Sequence, residues 1–213
     1  MVENPEKSGI IKNMTANDYI IERDDGITTS YNTKADYSIK IPGLSDQVNT
    51  GLSDACRRVA KAGTENQCEA MELINLKTGM SLYSELGEYD QVGGEKFWKF
   101  LAGYPNDKFA FVHNHPSTGF LSYIDMQTLV STEHIQVMVS TSNDGLKRIV
   151  YGDNKDFRLL DVIYKDEIAN IRKHVKDGTL EMENYRNEFQ KLIVSNAIRD
   201  YANLGFWEVD GRA

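Results

Sequence analysis

With 213 residues, 40% of them apolar and 26% charged, the chain has the make-up of a folded, water-soluble body with one sizeable core plus appendages. Its net charge of −8, with no clustered run of Lys and Arg, argues against a nucleic-acid partner, because phosphate binding needs basic residues gathered on one face. No apolar stretch approaches the roughly 18 residues of a membrane span and no signal-type apolar segment follows Met1, so no membrane partner is expected and a cytoplasmic location is.

Residues 1–44 are polar and turn-rich with scattered Tyr and Ile and no sustained period, and read as an N-terminal extension. Ser45 then has the character of a helix N-cap. Behind it Val48, Leu52, Ala55, Cys56 and Val59 recur at helical spacing, and Gly63 stands where a C-cap would. Cys56 and Cys68 are read as buried small hydrophobes rather than a disulfide. The segment from Cys68 to Leu76, the turn Lys77-Thr78-Gly79 and the segment Met80 to Tyr83 predict a β-hairpin.

Gly93-Gly94 precedes a short aromatic helix carrying Phe97, Trp98, Phe100 and Leu101, with Gly103 and Pro105 to end it and its aromatic residues expected in the core. Lys108 to His113 is a short, almost wholly apolar run of the kind that forms a central strand buried on both faces. Ser122 starts another helix. Ile135 to Ser140 and Leu146 to Tyr151 flank Asn143-Asp144-Gly145 and predict a second hairpin. Two long helices follow, one through Leu160, Ile163, Ile171 and Val175 and one through Tyr185, Phe189, Leu192 and Ile193, with Gly178 between them. The order predicts an α/β (α+β) fold, a mixed central sheet flanked by helices over 45–155, with 156–213 as a helical C-terminal extension.

The chemistry concentrates between His113 and Asp125. At the end of a strand, residues i and i+2 project to the same side, so His113 and His115 can offer two imidazole nitrogens to one ion. Pro116 holds His115 in the extended region and so preserves that geometry. Asp125 falls in the first turn of the helix that Ser122 caps, and a carboxylate there lies near the strand end if the helix starts beside it. Two histidines and one aspartate leave a fourth position for water, the mark of a catalytic metal rather than a structural one. Alone, Ser122 and Asp125 would read as a helix-capping pair; beside His-x-His-Pro, the metal reading takes precedence. His134 and His174 are single histidines with expected surface or capping roles.

This constellation, with a glutamate on an upstream strand, resembles the JAMM/MPN+ zinc metalloprotease family, and the wording His113-Asn114-His115-Pro116-Ser117 is close to its bacterial RadC-like branch. The resemblance spans roughly Glu69 to Tyr151 and preserves the family order of helix, glutamate-bearing strand, His-x-His-Pro, spacer and Ser-x-x-Asp. It implies a cytidine-deaminase-like JAB/MPN core, Zn2+ held by His113, His115 and Asp125, Glu69 handling the proton of the attacking water, and Ser122 stabilising the oxyanion. One departure is the spacer from Pro116 to Leu121, a residue shorter than is usual in the family. Glu72, three residues beyond Glu69, is the competing carboxylate. The family register favours Glu69.

The resemblance implies a metallopeptidase or isopeptidase acting on a protein or peptide amide, with ubiquitin-like modifiers among the substrate classes. A specialised ubiquitin-chain cleaver is disfavoured, since about ten residues separate Asp125 from the next strand and leave no room for the inserted ligands of such relatives. The competing reading is a non-catalytic scaffold, or a phage or toxin assembly module, that binds a protein partner through the C-terminal helices.

Overall fold

The computed structural model describes residues 31–88, 92–115, 120–153, 156–180, 184–201 and 203–212. The first apolar period closes into α1 (Asp46–Asn66), capped by the Ser45 hydroxyl, which accepts from the Val48 N–H at 3.3 Å. Val48, Leu52, Ala55, Cys56 and Val59 are all buried. Gly63 does not end the helix. The chain stays helical to Asn66 and turns out at Gln67, which takes the left-handed conformation at φ 53°. Gly63 serves packing instead, since a Cβ there would lie 2.2 Å from the Asn114 carboxamide.

Both hairpins form as their turn chemistry predicts. The first joins β1 (Ala70–Asn75) to β2 (Ser81–Leu86), and the second joins β4 (Ile135–Ser142) to β5 (Leu146–Tyr151) through Gly145 at φ 99°, a backbone that glycine adopts without strain. Between them in sequence lies β3 (Phe109–His115), buried at every position. Its neighbours are β1, antiparallel, and β4, parallel, so it is a central strand as its apolar run requires. The parallel pair is connected by α3 (Tyr123–Ser131), one of the helices beside the sheet.

The sheet has a sixth strand. Expected to be helical throughout, the C-terminal extension is so through α4 (Phe157–Lys176) and α5 (Tyr185–Asp200), then returns β6 (Gly205–Asp210) to pair antiparallel with β5. The strand order is β2-β1-β3-β4-β5-β6, a mixed sheet flanked by helices. On one face α1 and the irregular segment through Tyr37, Ile39 and Ile41 cover Ala70, Ile74, Ala110, Val112, Val137, Val139 and Ile149. On the other, α2 (Glu95–Ala102), α3, α4 and α5 cover Met71, Leu73, Phe109, Phe111, Met138 and Val150. Phe97 and Phe100 pack in this second layer, but Trp98 is 47% exposed, because Phe97 and Leu101, four residues apart, set the buried face of the helix and Trp98 falls off it. No helix is long and apolar enough to cross a membrane among the described residues. Of the N-terminal extension only 31–44 is described; Pro116 and residues 1–30 lie outside the described residues.

Candidate metal centre

Strand alternation places His113 and His115 in phase with Phe109 and Phe111, on the face that α3 covers. Their Nε2 atoms lie 2.9 Å apart. Asp125 completes the group: Oδ1 is 3.2 Å from His113 Nε2 and Oδ2 is 3.4 Å from His115 Nε2. Ligand atoms from the three residues all fall within 4.8 Å of one another, so together they could hold a metal ion. Two imidazole nitrogens at this distance, each with a carboxylate oxygen beside it, are suited to share either a proton or a cation.

The capping and metal readings of Ser122 and Asp125 turn out to be compatible. Ser122 caps α3 by accepting from the Asp125 N–H at 3.1 Å, while Asp125 Oδ2 accepts from the Ser122 N–H at 2.7 Å, a complete capping box. The same carboxylate faces both imidazoles. The cap therefore fixes the rotamer that presents Asp125 to the histidines.

Burial sets the charge state. It pushes His113 below its ordinary value of 6.5, outweighing the opposite pull of the Asp125 carboxylate, so the ring is neutral near pH 7 and its lone pair is available. For Asp125 burial acts upward, but the charges and hydrogen bonds of His113 and His115 prevail and hold the carboxyl well below 3.8. His113 Nδ1 is buried with no partner at hydrogen-bonding geometry among the described residues, although the Val139 backbone lies near enough to favour the protonated ring. The Phe111 ring walls the site, edge-on to His113 at 5.3 Å between centroids.

The two candidate carboxylates part company. In the β1–β3 register Met71 faces His113 and Glu72 faces Val112, so Glu72 points to the opposite side of the sheet from the histidines. There Arg58 of α1 holds it through two contacts of 2.7 and 2.6 Å. Glu69 continues the pairing of β1 with the chain beyond β2, its N–H donating to Glu88 and its carbonyl accepting from Gly87. Two residues before Met71, it is in phase with the histidine side of the sheet. It is not one of the three clustered residues. No family model, curated protein or solved structure matches the chain.

His134 and His174 lie elsewhere, beside the Asp107 carbonyl at 3.3 Å and the Thr179 hydroxyl at 2.9 Å, in the local roles expected of them. Both cysteines are buried and unpaired by disulfide. Sequence reading passed over Asn114, a residue between two ligand candidates that is wholly buried on the α1 side of β3. The one local signal was Gly63, near the end of α1, which reads in the sequence as a C-cap but leaves room for the Asn114 carboxamide.

Proposed function

We propose that the chain is a zinc-dependent peptidase or isopeptidase of the JAMM/MPN+ type, built on that family's JAB core. One observation carries the reading: three residues of the expected types converge, the two imidazole Nε2 atoms 2.9 Å apart, each with an Asp125 oxygen at 3.2 or 3.4 Å, and one ligand atom from each residue within 4.8 Å of the others. Ligand atoms held tetrahedrally at zinc's usual distances stand about 3.3–3.5 Å apart, so the cluster needs little movement to accept the ion. His113 and His115 supply neutral nitrogens, Asp125 supplies the charge, and three protein ligands leave a position open. Bound zinc supplies Lewis acidity, polarising a carbonyl and lowering the pKa of a water from about 15.7 towards about 7.

The chain's own residues do the rest. Glu69 takes the proton of the attacking water and delivers it to the leaving amine. The Ser122 hydroxyl, which accepts from the Asp125 N–H, keeps its own O–H to offer to the developing oxyanion, a donor of a kind worth about 3–4 kcal/mol. Only Thr132, Glu133 and His134 separate α3 from β4, which supports a peptide or single-modifier amide over a ubiquitin chain as substrate.

Zinc-loaded protein should cleave members of a fluorogenic peptide library, and chelator should stop it. Glu69→Gln should lower the rate by roughly 10²–10⁴-fold, whereas Glu72→Gln, which disturbs only the Arg58 pair, should be mild. Loss of activity in Glu72→Gln with Glu69→Gln unaffected would overturn the assignment of the base; indifference to both would overturn the mechanism.

A further inference from the structure

The β1–β3 ladder stops at Met71 opposite His113, two residues short of the point where the same register would set Glu69 opposite His115. Beyond it Ala70 would face Asn114, but the Ala70 N–H donates to the Asn114 side chain instead, to Oδ1 at 2.6 Å. The other end of the carboxamide donates to the Cys68 carbonyl at 3.4 Å. An amide N–H requires an acceptor, so the carboxamide can lie only one way round, Oδ1 to Ala70 and Nδ2 to Cys68. Its two partners are the residues on either side of Glu69.

Gly63 makes this possible. Any larger residue there would place a Cβ 2.2 Å from Asn114 Nδ2, and the Gly63 carbonyl also accepts from the Cys68 N–H at 3.1 Å. A continuous run of bonds therefore leads from α1 through Cys68 and Asn114 to Ala70. Asn114 sits between His113 and His115 in sequence and, by strand alternation, on the opposite side of β3 from them, so it touches neither the cluster nor anything bound there.

We infer that Asn114 is a positioning residue, its carboxamide bridging Cys68 and Ala70 so that Glu69 is locked in register with the strand that carries His113 and His115. The inference rests on the reading of Glu69 as the base. A carboxylate on a strand end free to slide would lose the fixed distance that proton transfer demands, and an unpaired Ala70 N–H would invite such movement.

The test uses the full chain loaded with Co2+ in place of zinc and follows the pH midpoint of its visible absorption, a readout that needs no substrate. Glu69→Gln should move the midpoint on the order of one pH unit, as loss of a nearby charge does. Asn114→Ala should move it in the same direction, and should add nothing when combined with Glu69→Gln. Gly63→Ala, which forces Asn114 aside without changing any charge, should behave as Asn114→Ala does and provides a second folded variant. If Glu69→Gln moves the midpoint and both other variants leave it where it is, Asn114 is merely structural and the inference falls alone. If Co2+ binds but Glu69→Gln changes nothing, the assignment of the base fails first and takes this inference with it.

Discussion

A histidine buried beside a carboxylate is pulled in two directions, and at His113 burial wins while at Asp125 the neighbouring imidazoles win. Both outcomes favour cation binding, because they leave a neutral nitrogen next to an ionised oxygen. They also make the metal-free protein sensitive to acid. An unfolded His113 takes up a proton near 6.5, whereas the folded one resists it, so the unfolded state binds more protons as the pH falls past that value and stability declines. Asp125 acts in the same sense at lower pH, since a carboxyl held well below 3.8 when folded stabilises the fold only while it stays ionised. The melting temperature of metal-free protein should therefore fall progressively from about pH 7 downward, and His113→Asn should flatten the upper part of that decline. An unchanged slope in the variant would place the titrating group elsewhere.

At the scale of elements, α3 is both a packing unit and the carrier of a ligand candidate. Its apolar side buries Met126, Leu129 and Val130, while its first turn holds Asp125 by the capping box. Ser122→Ala removes the hydroxyl that accepts from Asp125 but not the Ser122 N–H that fixes Asp125 Oδ2. It should cost about 1 kcal/mol in denaturant melts while zinc content stays at the wild-type level. Loss of zinc in that variant would mean that the hydroxyl, not the backbone, orients the aspartate. The same element shows how far the sequence could be read. Ser122, Asp125 and the apolar positions behind them announce a capped helix, and β3 announces itself by an unbroken apolar run, because in both the local signal and the tertiary role coincide. Where they diverge the sequence misleads. Gly63 has the look of a helix end because glycine commonly ends helices, but here its role is to admit the Asn114 carboxamide from a strand 51 residues away. The Gly205 to Asp210 segment is short and follows two long helices, and nothing local says that β5 has an open edge for it to fill.

Across the whole molecule, the candidate metal group is attached to a framework with its own apolar layers. Two apolar layers, one on each face of a six-stranded sheet, hold α1 to one side and the remaining helices to the other, and the three ligand candidates are attached to β3 and α3 near their ends. The N-terminal and C-terminal parts are tied into the same framework: buried Lys147 on β5 donates to the Asp36 carbonyl, and the Asp36 N–H donates to Gly211. Chelation should accordingly leave the far-ultraviolet circular dichroism close to that of the loaded protein while abolishing hydrolysis. Collapse of helix and strand signal on chelation would make the metal a structural one and contradict the proposed enzyme. The clustering of two histidines and an aspartate was legible in the sequence as spacing alone; the side of the sheet on which each carboxylate lies was not, since it depends on the register between β1 and β3.

Elemental analysis of purified protein after exhaustive dialysis against metal-free buffer tests the central claim most directly. We expect close to one equivalent of zinc per chain, lost in His113→Ala, His115→Ala and Asp125→Ala and retained in Glu72→Gln. Absence of zinc from the wild-type chain after zinc loading, or its retention at full occupancy in the His113→Ala and His115→Ala variants, would contradict it.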